Sequence, residues 1–150
     1  PMSIYLTLDP EREVIKRLRR IDGLRELLRD AKAELEIVEQ RNPLVSSKGS
    51  GDRAGGHNSG GGRSNPAMVL NAQEVALRAR IAEYEAILSD HNRGWAKLSP
   101  EQKNYLRIRF MTAGGSKQDH AARSIGCSDR QARRLETAAI RIMASEVTRV

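Results

Sequence analysis

The sequence predicts an all-α protein: an N-terminal antiparallel helical hairpin, coiled-coil-like, followed by a C-terminal helix-turn-helix domain. Three observations carry this expectation. Apolar residues recur at helical spacing through two long segments, 10–41 and 67–94. The last third contains three serine-initiated helix starts. Aromatic residues make up 3% of the chain and charged residues 30%, a composition that suits helices better than sheets.

In the first segment, Val14, Ile21, Leu28 and Leu35 share one heptad position, and Arg17, Leu24, Ala31 and Val38 share the other seam position. Seven of these eight are apolar, and Leu18 widens the stripe. Asp9 is placed to cap this helix, with Pro10 at its first position. Acidic and basic residues nearly cancel along it. The stretch 42–66, "NPLVSSKGSGDRAGGHNSGGGRSNP", has no apolar period and reads as a flexible Gly/Ser-rich loop. It lacks the Lys-Ser/Thr ending of a phosphate-cradling loop. A second reading folds its Lys48, Arg53 and Arg63 onto DNA or a polymerase. The second helix carries Leu77, Ile81, Tyr84, Leu88, His91 and Trp95 at steps of 4, 3, 4, 3 and 4. His91 on that seam is expected to act as a polar break that sets register. A helix pair is thin, so a second copy is expected to cover the remaining apolar surface, giving a homodimer through helices 10–41 and 67–94. The hairpin domain is expected to span 2–97 and the second domain 98–150.

In the second domain, Ser99 with Gln102, Ser116 with Asp119, and Ser128 with Gln131 each suggest a capping pair. Helices are expected at 100–112, 117–125 and 129–147. A tight turn between the last two needs small residues where they cross. Ala122, Gly126 and Ala132 supply them, Leu135 adds an apolar contact, and Ile125 and Cys127 flank the turn. The outer side of helix 129–147 then carries Asp129, Arg130, Arg133, Arg134 and Thr137, candidates for contacts to base edges in the major groove. Ser116, Lys117, Arg123, Ser128 and Arg141 flank them as candidate phosphate contacts. Only Asp129 and Glu136 lie near the four arginines of this helix, too few to neutralise them. Charge supports the reading. Of the net +7, residues 1–100 carry +2 and residues 101–150 carry +5. The expected partner is double-stranded DNA.

"LSPEQKNYLRIRF" (98–110) followed by "GSKQDHAARSIGCSDRQARRLETAAIRIM" resembles the fourth region of bacterial sigma factors. Leu98, Leu106 and Phe110 match first-helix core positions, and Ser128 matches the cap of the recognition helix. Asp119 and His120 stand where the family carries an acidic pair, and Ala138 where it often carries arginine. With the preceding hairpin and loop, the layout resembles small phage regulators of the ArpU/RinA type. The resemblance implies a sequence-specific transcriptional regulator, phage-encoded, acting on late-gene promoters. It does not extend to the sigma segments that melt promoters.

No nucleophile, base and orienting group occur together, so no enzyme activity and no cofactor are expected. His57, His91, His120 and the lone Cys127 lack metal-ligand spacing, and no metal is expected. No run reaches the ~18 apolar residues of a membrane span, no secretory signal is visible, and the single cysteine fits a reducing compartment. A cytoplasmic location in a bacterial host is expected. Two alternatives are a small terminase subunit, which also pairs a DNA-binding motif with helical assembly, and a protein that grips RNA polymerase.

Overall fold

The computed structural model describes residues 9–41, 66–112 and 114–148. The expected loop at 42–66, with Lys48, Arg53, His57 and Arg63, lies outside the described residues except for Pro66. The described residues are helical and contain no strand. The elements are α1 (Pro10–Arg41), α2 (Pro66–Ala96), α3 (Pro100–Leu106), a π-helical turn (Arg107–Met111), α4 (Gln118–Ile125) and α5 (Asp129–Ala144).

α1 begins where its caps dictate. The Asp9 carboxylate accepts the Glu11 N–H at 3.0 Å, and Pro10 occupies the first helical position. Arg17 of α1 meets Asp90 of α2, whereas Glu39 meets Arg78, so the two helices run antiparallel. Each packs through the seam that its heptads predict.

The chain divides into two compact units, and both long helices run through both. The larger unit comprises Pro1–Arg25 with Glu85–Val150, so residues 10–25 and 85–97 pack with the segment that follows 98. Its core joins Val14 and Leu18 of α1 to Tyr105, Leu106 and Phe110, and to four alanines of α4 and α5. Those alanines, Ala121, Ala122, Ala132 and Ala139, are fully buried. Small side chains let the helix backbones approach closely. Gly94 serves the same purpose where α2 meets α5. A β-carbon there would lie 3.0 Å from the Met143 Cα. The smaller unit, Glu26–Tyr84, buries Ala31, Val38 and Leu77, with Leu35, Leu70, Ile81 and Tyr84 packed around them.

The helix expected over 67–94 runs Pro66–Ala96, and three boundaries after residue 98 also differ from expectation, each for a local reason. The helix expected over 100–112 is α-helical only to Leu106 and then widens, with the Thr112 N–H donating to the Arg107 carbonyl at 2.9 Å. Ser116 takes the next carbonyls. Its hydroxyl donates to Ile108 O at 2.9 Å and its N–H to Arg109 O at 2.9 Å. The expected Ser116 cap is therefore absent. α4 starts at Gln118 behind Lys117 with no side-chain cap, and Asp119 accepts instead from the adjacent His120 N–H. The helix expected over 129–147 ends at Ala144, because Glu146 turns toward Arg93 and Lys97, and Thr148 toward Asp90.

Three glycines with positive φ, Gly114, Gly115 and Gly126, flank α4 among the described residues. Gly126 has φ +76° with open space where a side chain would stand. Gly115 has φ +88°, and a β-carbon there would lie 2.7 Å from the Arg109 carbonyl oxygen. Gly126→Ala should cost about 1–2 kcal/mol, the ordinary penalty for a left-handed non-glycine residue. Gly115→Ala adds a backbone clash and should cost more. Urea unfolding of both variants gives the order, and equal midpoints would contradict it.

Candidate nucleic-acid interface

α4 and α5 are joined by a short turn through Gly126, Cys127 and Ser128. Gly126 ends α4 in the left-handed conformation, and the Cys127 N–H bonds back to Ala122 O at 3.0 Å. Ser128 then opens α5 with a reciprocal cap. Its hydroxyl oxygen accepts the Gln131 N–H at 3.2 Å, and Gln131 Oε1 accepts the Ser128 N–H at 3.0 Å. The same pattern opens α3, between Ser99 and Gln102. Two of the three expected capping pairs thus form. Cys127 is a half-buried free thiol packed at the edge of the core.

α5 is amphipathic. Ala132, Ala139, Ile140 and Met143 are buried. Asp129, Arg130, Arg133, Arg134, Thr137 and Arg141 are exposed. At 3.6 residues per turn, Arg130, Arg133, Arg134, Thr137 and Arg141 share a sector about 100° wide, opposite the buried one. These four arginines have no side-chain partner among the described residues.

Glu136 explains part of that. From the sequence it was one of two acids available to neutralise the arginines. It faces inward instead, accepting from the Tyr105 hydroxyl at 2.8 Å and pairing with Arg109 at 3.3 Å. Burial, followed by the hydrogen bond to Glu136, pushes the Tyr105 phenol upward, so it remains a donor. Arg109 also donates to Ser116 O at 2.6 Å and stacks over Phe110. One network therefore ties α3, the π-helical turn and the loop before α4 to α5. Sequence inspection missed it, because Tyr105 and Glu136 are 31 residues apart and neither has a local signature.

The expected phosphate contacts divide. Lys117, Arg123 and Arg141 are exposed, with Arg123 3.4 Å from Asp119, which is also exposed. Ser128 is exposed and serves as the α5 cap, while Ser116 is half-buried with its hydroxyl proton donated to Ile108 O.

Elsewhere in the larger unit, Asp90 is buried and collects partners from three segments. Arg17 donates at 3.2 Å, the Thr148 N–H and hydroxyl each at 3.0 Å, and Arg93 closes the set. Burial raises its pKa, but these hydrogen bonds outweigh it and hold the carboxyl below its usual range. Neighbouring His91 is 5% exposed, stacks on Trp95 at 5.4 Å, and has an Nδ1 with no partner among the described residues. A cavity of about 10 Å³ lies between Val14, Arg17, Asp90, His91, Met143 and Val147, roughly the space of one water. Burial, reinforced by Arg25 and Arg17 and opposed by Asp22, pushes the imidazole pKa down to about 4. No group of three His, Cys, Asp or Glu among the described residues is placed to hold a metal.

The His91 shift sets a pH dependence. An unfolded histidine titrates near 6.5, so between pH 6.5 and 4 the unfolded chain takes up a proton that the folded chain refuses. This contribution is fully present above pH 6.5 and is lost as pH falls to 4. The Asp90 contribution, from a lowered carboxylate pKa, is lost only at more acid pH. Urea midpoints should fall between pH 7 and pH 4.5, and His91→Gln should flatten that fall. An unchanged slope would place the acid sensitivity elsewhere.

Compared with protein-family models, curated proteins and solved structures, the chain matches none.

Proposed function

We propose that this chain is a sequence-specific DNA-binding transcriptional regulator, phage-encoded and acting on late-gene promoters. The observation that carries the reading is the unpartnered arginine face of α5, backed by an alanine-lined core and presented behind a capped, glycine-ended turn. A helix-turn-helix uses such a turn and small residues where its two helices cross. The α5 N-terminus enters the major groove, where Arg130, Arg133 and Arg134 can each donate two hydrogen bonds to guanine O6 and N7. Asp129 accepts from cytosine N4, and Thr137 reaches the next base edge. Lys117, Arg123 and Arg141 hold phosphates and fix the register. The Tyr105–Glu136–Arg109 network keeps α5 rigid against α3, so the arginines are presented from a fixed surface.

The second part of the proposal is a homodimer through the long helices. All the large exposed apolar side chains of the described residues belong to the smaller unit: Leu27, Ile37, Met68, Val69 and Val75. Met68, Ala72, Val75, Ala79 and Ala82 step by 4, 3, 4 and 3 along α2 and form a second, outward seam. Met68 and Val75 are 67% and 68% exposed there. A second copy of the chain fits this seam, and it would place two recognition helices on a repeated or palindromic site.

Selection of source-genome fragments on the purified protein at ~150 mM salt, where non-specific binding is weak, tests the DNA reading. One enriched promoter-proximal site is expected. Arg134→Ala should then weaken binding to that site by ~1–3 kcal/mol while leaving random DNA little changed. An equal loss on all sequences would make Arg134 a phosphate contact, and no enrichment at all would remove the operator reading. Co-purification with RNA polymerase without a DNA shift would favour the polymerase-binding alternative. Sedimentation of Val75→Lys tests the seam. The wild type should be a dimer and the variant a monomer. A wild-type ring of about eight or more subunits would favour a DNA-packaging role.

A further inference from the structure

The near-neutrality of α1 conceals a separation of charge along its length. Residues 10–20 hold five basic and two acidic side chains, whereas residues 21–41 hold four basic and six acidic. The basic end belongs to the larger unit. That unit contains 18 basic and 11 acidic residues, and the smaller unit 8 of each, so the whole net charge of +7 resides in the larger unit.

Within this end of α1, Arg12, Lys16, Arg19 and Arg20 are all exposed. Their spacing puts them on one helix face over ~12 Å, opposite buried Val14, Leu18 and Ile21. None has a side-chain partner acid among the described residues. Of the nearby acids, all but the exposed Glu11 are otherwise engaged. Asp9 caps the helix, Glu13 pairs with Arg17, and Asp22 pairs with Arg25. The Arg19 guanidinium lies over the Phe110 ring at 5.5 Å, and Arg107, which opens the same π-helical turn, lies over Trp95 at 5.3 Å. Cation–π attraction holds each guanidinium near a ring without using its N–H donors on an acid, which leaves donors for an anion.

We propose that the α1 face formed by Arg12, Lys16, Arg19 and Arg20, continued by Arg107, is a second DNA-backbone contact surface. The hairpin end in this unit then binds phosphates as well as supporting α5. The proposal rests on DNA binding by α5 and adds a sequence-independent grip to it. The composition of the face selects a polyanion. A protein interface is anchored by apolar or aromatic side chains, and a membrane-surface helix by a buried apolar face. Among the described residues the exposed large apolar side chains all lie in the smaller unit, and the apolar side of α1 here is already covered by its own core.

The test compares the full-length wild type, the triple variant R12Q/K16Q/R20Q, and R130Q/R133Q/R134Q. Each is titrated by fluorescence anisotropy on a random-sequence 40-bp duplex from 50 to 200 mM salt. Thermal unfolding followed by circular dichroism verifies that each variant is folded, and Arg19 is retained for its contact with Phe110. If all three α1 cations neutralise phosphates, the wild type should lose about 40-fold more affinity than the α1 variant across this range, because each contact contributes ~0.9 to the logarithmic slope. An α1 variant with the wild-type slope on this duplex overturns the inference, and loss of binding to the selected promoter-proximal site by the α5 variant leaves the α5 reading intact. No binding by the wild type at any salt overturns both. A wild-type slope on DNA together with lost binding to phosphatidylserine vesicles reassigns the face to a membrane surface and also overturns the inference.

Discussion

Close packing through alanine is the constraint on which the cationic face of α5 depends. Ala121, Ala122, Ala132 and Ala139 contribute almost no side-chain volume, and all are fully buried. They bring the backbones of α4 and α5 near the rest of the larger core. A 16-residue helix packed on such a narrow stripe must place its remaining residues outward. Four of those are arginines, and nothing in the fold covers them among the described residues. The basic face is thus a consequence of how the core is packed. Larger side chains at the alanine positions would push α5 outward and reposition every outward-facing group with it.

Electrostatics in this unit is arranged by removing acids from the cationic faces. Glu136 is turned inward to Tyr105 and Arg109, and Glu146 to Arg93 and Lys97. Asp90 is buried among hydrogen-bond donors. Each acid serves a structural junction, and the arginines and lysines left behind generate an uncompensated positive field. Such a field attracts polyanions and is screened by salt, since exposed charges interact over only ~10 Å at 0.1 M ionic strength.

Asp90 and His91 show the opposite use of polar groups. Asp90 joins α1, α2 and the C-terminal segment at one buried carboxylate, which needs every donor it has. His91 is buried neutral beside it, with Trp95 against its ring. The heptad seam predicts an apolar residue at that position. The histidine is tolerated because an uncharged imidazole packs like a small aromatic, at the expense of stability in acid.

What the sequence determined by itself is local. Helical periodicity, Asp9, Pro10 and the two Ser-x-x-Gln pairs locate α1, α2, α3 and α5, and Gly126 ends α4, because these signals act between residues a few positions apart. The outward arginine stripe of α5 is legible for the same reason. Tertiary structure decided what depends on distant partners. Ser116 stops being a cap because Ile108 and Arg109 offer their carbonyls, and that loop closure also widens the end of α3 into a π-helical turn. Glu136 is withdrawn from the arginine face by residues 27 and 31 positions away, and Arg17 finds Asp90 across 73 positions. The grouping of residues 10–25 with the C-terminal half is of the same kind, and it gathers the net charge into one unit. Periodicity says which face of a helix is buried, whereas only the packed chain says against which charges the other face is set.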